Sequence, residues 1–104
     1  MKRVALKMKI REGTAAEYKR RHDQIWPELN ALLRSSGISD YSIFLDEETL
    51  DLFAVQKLAD DHTSDQLAEN PLIKKWCEYM ADIVLMDDSG RPICTPLPEM
   101  YHLD

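Results

Sequence analysis

Alternation opens the chain. Val4, Leu6, Met8 and Ile10 fall on one side of an extended segment and Arg3, Ala5, Lys7 and Lys9 on the other, which predicts a strand over 3–10. Arg11-Glu12-Gly13 turns the chain, and Thr14-Ala15-Ala16-Glu17 has the spacing of a capping box at a helix start. The period then changes. Ala15, Tyr18, His22, Ile25, Leu29, Leu32 and Leu33 recur every three or four residues, the stripe of an amphipathic helix. Pro27 has no N–H and its ring crowds the preceding turn, so one continuous helix is excluded. Two consecutive helices are predicted, 14–24 and 27–36, with Pro27 opening the second. Gly37 follows Ser35-Ser36 as a left-handed cap.

Beyond Gly37 the period returns to two. Segments 40–46 and 51–58 read as strands of a hairpin around Asp46-Glu47-Glu48-Thr49, the first pointing Tyr41, Ile43 and Leu45 one way. Asp60-Asp61 starts a short helix. Asn70-Pro71 ends it and caps another, whose stripe is Leu72, Ile73, Trp76, Tyr79, Met80 and Ile83. A polar loop spans 87–92, and the alternating tail Glu99-Met100-Tyr101-His102-Leu103 reads as a last strand. The order βαββαβ is the ferredoxin-like arrangement, an α+β fold with helices on one side of an antiparallel sheet. Phe44 beside Leu45, and Leu52 beside Phe53, make two strands apolar on both faces. One helix layer covers one face only, and a homodimer is the economical way to cover the other.

A length of 104 residues allows one domain, spanning 1–104. With 44% hydrophobic and 31% charged residues the chain is neither disordered nor a membrane span, and no apolar run approaches the ~20 residues of a spanning helix. Alternation begins at once after Met1, which leaves no room for a signal-peptide core; a cytoplasmic location is expected. Cys77 and Cys94 stand outside any metal or redox spacing and are expected as thiols. A net charge of −6 argues against nucleic acid or an anionic membrane as partner. The one basic run, Lys19-Arg20-Arg21, reads as a solvated helix face.

Candidate chemistry is sparse. There is no phosphate-binding glycine loop, no dinucleotide fingerprint and no nucleophile elbow, and the acidic residues are scattered without a metal-ligand set. His62 falls in a polar helix start and reads as a surface residue; His102 lies in the tail. His22 differs, because it sits on the apolar stripe one turn after Tyr18. That pair is either a hydrogen-bonded core feature or a polar spot in a pocket wall, where an imidazole exchanges protons near neutral pH. Trp26 and Trp76 read as packing. A Trp face with Tyr18 and Tyr41 is also a common carbohydrate platform, the ring covering C–H surface while hydroxyls exchange hydrogen bonds.

The run Tyr18-Lys19-Arg20-Arg21-His22-Asp23-Gln24-Ile25-Trp26-Pro27-Glu28-Leu29 resembles the L-rhamnose mutarotases closely. The likeness continues through Asp40–Asp46, Trp76, Tyr79-Met80-Ala81-Asp82 and Glu99-Met100-Tyr101, nearly the whole chain. The resemblance implies a dimeric α/β barrel that interconverts the α and β anomers of L-rhamnose, with His22 as the catalytic acid. It implies sugar contacts at Tyr18, Tyr41, Trp76 and Cys77, the last standing where relatives carry a second Trp. Mutarotation takes a proton from the anomeric hydroxyl and delivers one to the ring oxygen, so no cofactor and no metal are expected. His22 would donate to the ring oxygen, Tyr18 and Tyr41 would hold hydroxyls, and Trp76 would pack the sugar's apolar face. The base stays open among a tyrosine, water and a C-terminal residue. Two rivals share the fold: a cofactor-free monooxygenase or cyclase, and a ligand-sensing module without turnover.

Overall fold

The structure, a computed structural model, describes residues 1–104. Strand β1 (Lys2–Lys9) leads into helices α1 (Ala15–Asp23) and α2 (Pro27–Ser35), then strands β2 (Ile38–Leu45) and β3 (Asp51–Leu58). A 3₁₀ helix (Ser64–Glu69), helix α3 (Pro71–Met80) and strand β4 (Thr95–Leu97) complete the chain. The four strands form one antiparallel sheet in the order β2-β3-β1-β4, an α+β architecture.

Pairing decides which side chains share a face. Met8 lies opposite Leu52, Leu6 opposite Ala54, and Leu45 and Ile43 opposite Leu52 and Ala54, so these residues line the side that receives the helices. The core forms there: Ile10, Leu52, Met80, Ile83 and Val84 are buried, with Tyr18 of α1 and Trp76 of α3 packed against them. Ile10, Leu29 and Leu52 are the most deeply buried large side chains. Each contributes ~1.5–3 kcal/mol relative to exposure. On the opposite face Phe44 pairs with Phe53 and Ala5 with Val55, and Phe44 is 63% exposed. Both-sided strands are therefore real, and the chain covers one side only.

The helix boundaries follow their sequence signals closely. Pro27 occupies the first turn of α2 with Trp26 as N-cap. Asn70 caps α3, its side chain accepting from Leu72 N–H at 2.8 Å with Pro71 behind it. Gly37 takes φ +89°, and a Cβ there would stand 2.9 Å from the His62 backbone. Only glycine fits both demands.

Four local expectations are corrected. Thr14 makes no capping bond to α1; its hydroxyl donates back to the Arg11 carbonyl at 2.6 Å, and Glu17 is drawn off by Arg20 and Arg21. The segment after Asp60 forms no α-helix, only the 3₁₀ helix from Ser64, and His62 precedes it, half-buried and bonded to Ser64. The last strand lies at Thr95–Leu97, beside β1, and residues 98–104 have no regular structure. Pro98 has no N–H with which to extend the ladder. Finally, Arg21 does not belong to a solvated face: it is 9% exposed, whereas Lys19 and Arg20 are exposed as expected.

Candidate active site

Helix geometry puts Tyr18 and His22 one turn apart on the face of α1 that looks at the sheet. Their rings stack at 4.3 Å between centroids, 25° from parallel. The edge of Trp76, from α3, meets the His22 ring at 5.4 Å and 88°. Trp26, at the α1–α2 junction, backs Trp76 at 5.1 Å and stacks on Tyr79 at 5.7 Å. It supports the wall and does not line the opening.

Tyr41 reaches the same place by a different device. Ser39 pairs with Lys57 and Ser42 with Val55, so Asp40 and Tyr41 together oppose Gln56 in a β-bulge. Asp40 absorbs the bend at φ +48°. The extra residue changes the parity of the strand, so that Ile38 before it and Ile43 after it both face the helices. Tyr18, His22, Tyr41 and Trp76 then line one cleft of about 1170 Å³ between α1, α2 and the sheet, with Ile43 and Leu52 at its floor. That volume slightly exceeds the ~300–1,000 Å³ of most small-molecule sites. Its walls are mostly apolar, with His22, Asn30 and several charged side chains among them, and such a mixture suits a polyol with one hydrophobic side.

The imidazole has one nitrogen committed. Nδ1 lies 3.0 Å from the Tyr18 carbonyl, which can only accept, so Nδ1 carries the proton and Nε2 is left for exchange. Burial lowers the His22 pKa, partly opposed by that carbonyl and by the charge of Asp23. The neutral ring with a bare Nε2 is thus the form favoured at neutral pH. Burial pushes the Tyr18 phenol up, with the nearby Tyr41 adding to it. Tyr41 is also pushed up by burial first and by Cys94 second, although 41% of the residue is open to solvent. Both phenols stay protonated.

Two other sequence candidates lie elsewhere. Cys77, half-buried, does not line the cleft; burial raises its thiol, and Arg91 and Asp87 of the following loop are its charged neighbours. His102 is in the exposed tail, paired with Asp104 at 2.7 Å. Both cysteines are free thiols, no three His, Cys, Asp or Glu side chains converge to hold a metal ion, and no helix is long and apolar enough to cross a membrane.

Residues 3–103 match the family model described as L-rhamnose mutarotase. The chain belongs to the L-rhamnose mutarotase family. A relative of that name from Flavobacterium johnsoniae is 53% identical over 102 residues, covering 98% of this chain and 95% of its own. One from Formosa agariphila is 47% identical over the full length of both chains. The crystal structure of an L-rhamnose mutarotase from Formosa agariphila superposes with a TM-score of 0.92 at 46% identity, covering all of both chains. Neither the monooxygenase or cyclase reading nor the sensor reading gains support from these relatives. Within this mutarotase-family fold, four of the five residues marked by the resemblance share one cleft, and Cys77 stands outside it.

Sequence reasoning missed Arg21. Its Nε donates to Glu17 at 2.8 Å, and Nη1 donates to the Tyr79 carbonyl at 2.7 Å and to Asp82 at 2.9 Å. A signal was available: Arg21 follows Glu17 by four residues, and the odd basic residue of a run need not share its neighbours' face.

Proposed function

We propose that the protein interconverts the α and β anomers of L-rhamnose, with His22 as the proton-exchanging residue of a cofactor-free site. One observation supports this above others: in a chain of the L-rhamnose mutarotase family, the His22 ring stands in the cleft between Tyr18 and Trp76 with Nδ1 tied to a carbonyl. Only Nε2 is then available to a ligand.

The reaction follows from that restriction. Nε2 takes the anomeric hydroxyl proton. The O1 electron pair forms the aldehyde carbonyl as the C1–ring-oxygen bond breaks, and the ring oxygen receives the proton back from Nε2. O1 and the ring oxygen are both bonded to C1, so one nitrogen serves them in turn. Rotation about C1–C2 and the reverse steps close the other anomer. His22 is thereby donor to the ring oxygen, having first been acceptor from O1, and no separate base is needed. A positioned acid–base group contributes roughly 10²–10⁴-fold, a fitting scale for a reaction that proceeds unaided. Tyr18 and Tyr41, both kept as phenols, orient sugar hydroxyls, and Trp76 covers the apolar face of the ring. Cys77 is retained as a border residue of the sugar on the family resemblance alone.

The same reading takes residues 1–104 as one domain that works in the cytoplasm as a homodimer, two sheets packed face to face as a dimeric α/β barrel. The open Phe44–Phe53 face supports it. Saturation-transfer NMR on equilibrated L-rhamnose tests the activity: the protein should raise α/β exchange above the spontaneous rate at catalytic concentrations. Binding without faster exchange would overturn the proposal in favour of a sensor.

A further inference from the structure

Arg21 makes contacts that a helix-surface ion pair does not need. It is 9% exposed, whereas the carboxylates it meets, on Glu17 and Asp82, keep 36% and 65% of their side-chain surface open. Beyond the contacts already given, Nη2 donates to the second Asp82 oxygen at 3.1 Å, and the guanidinium carbon lies 4.5 Å from the centre of the Tyr79 ring. The Tyr79 carbonyl belongs to the last turn of α3, where backbone acceptors have no partner within the helix. A guanidinium fork fills that vacancy and grips Asp82 just beyond it, while its Nε stays on α1.

These contacts close a circuit around the site. Arg21 holds Tyr79; Tyr79 packs on Trp76 at 5.6 Å; Trp76 meets His22 edge-on; and His22 follows Arg21 in the chain. The His22–Trp76 side of the cleft is built from α1 and α3, which share no backbone hydrogen bond. The side chain next to the proton-exchanging one fastens them together. We propose that Arg21 is a positioning residue: its guanidinium locks α1 to the C-terminal end of α3 and so fixes the His22 imidazole against Trp76. This rests on the mutarotase reading given above. Arg21 itself touches no substrate.

The test compares Arg21→Lys and Arg21→Met with the wild-type protein. Lysine keeps the charge but cannot span Glu17, Asp82 and the Tyr79 carbonyl together. Methionine keeps the packing volume and releases two carboxylates that already face water, so neither variant strands a buried anion. Two readouts are needed: exchange of L-rhamnose anomers across sugar concentrations, and the His22 ring-proton resonances, which the Trp76 and Tyr18 ring currents displace. In both variants the saturating exchange rate should fall about tenfold or more, since ~1 Å of misplacement can cost ~10²-fold. The apparent affinity should change less than about threefold, and the His22 resonances should move toward those of a free imidazole. Wild-type saturating rates and unmoved resonances, with only a lower melting temperature, would overturn the proposal and leave Arg21 a stabilising residue. Should both variants fail to fold, Asp82→Asn decides: it loosens only the α3 end of the clasp at an exposed side chain. A fall of about threefold in saturating rate with shifted His22 resonances supports the lock, and no change in either overturns it. A wild-type protein without activity would sink the mutarotase reading, whereas the resonance comparison still judges the lock.

Discussion

His22 is held between two aromatic rings with Nδ1 donating to the Tyr18 carbonyl, and this sets its pH response. Burial is the largest influence on its pKa and lowers it below the ordinary 6.5. Above that lowered value Nε2 is bare and can accept the anomeric proton; below it Nε2 is already occupied. The exchange rate per sugar bound to free enzyme should therefore be flat through neutrality and fall on acidification, with a midpoint below 6.5. A pH profile corrected for spontaneous mutarotation checks this, and a rate that climbs as the ring protonates would contradict it. At this scale the sequence was informative wherever periodicity spoke. Tyr18 and His22 share a stripe because four residues make about one helical turn. For Arg21 only the spacing to Glu17 was legible; its grip on Tyr79 and Asp82 was not, because both lie far along the chain.

Elements were readable where a single residue forbids the alternative. Pro27 breaks the α1–α2 ladder by lacking an N–H, Asn70 with Pro71 marks the start of α3, and Gly37 alone tolerates its φ beside His62. They were unreadable where one local bond competes with another. The Thr14 hydroxyl and Glu17 fit a capping box by spacing, but two arginines hold the carboxylate more strongly than one backbone N–H could. Hydrogen bonds from Arg20 and Arg21 bring its pKa down to about 2, which records where it went. The bulge at Asp40 and Tyr41 left no mark in the hydrophobic pattern, since Tyr41, Ile43 and Leu45 alternate either way. What the bulge changed was the parity of Ile38. The tail alternates like a strand, yet its pairing with β1 stops at Leu97, because Pro98 has no N–H to carry the ladder on.

Across the whole molecule, 11 of 104 residues are buried although 44% are hydrophobic, so much of the apolar surface finds no cover within the chain. Phe44 on the open sheet face, and Met100, Tyr101 and Leu103 in the tail, are examples. A homodimer through that face should bury at least the ~1,200 Å² of a stable contact. Sedimentation at micromolar concentration should give the dimer mass. Phe44→Glu, which puts a charge into the apolar face opposite Phe53, should shift the protein toward monomer. A wild-type protein that sediments as a folded, active monomer would contradict the dimeric barrel.

Anomer exchange in His22→Asn, beside Tyr18→Phe, bears hardest on the site. Asparagine keeps similar bulk and hydrogen bonding but cannot exchange a proton near neutral pH. The variant should remain folded, bind L-rhamnose within about tenfold of wild type, and lose roughly 10²-fold or more of its saturating exchange rate, the scale of a lost acid–base group. Tyr18→Phe, which removes a hydroxyl but leaves the carbonyl that holds Nδ1, should lose less. A His22→Asn protein that keeps most of its exchange rate while Tyr18→Phe abolishes it would contradict the assignment and move the proton chemistry to the phenol.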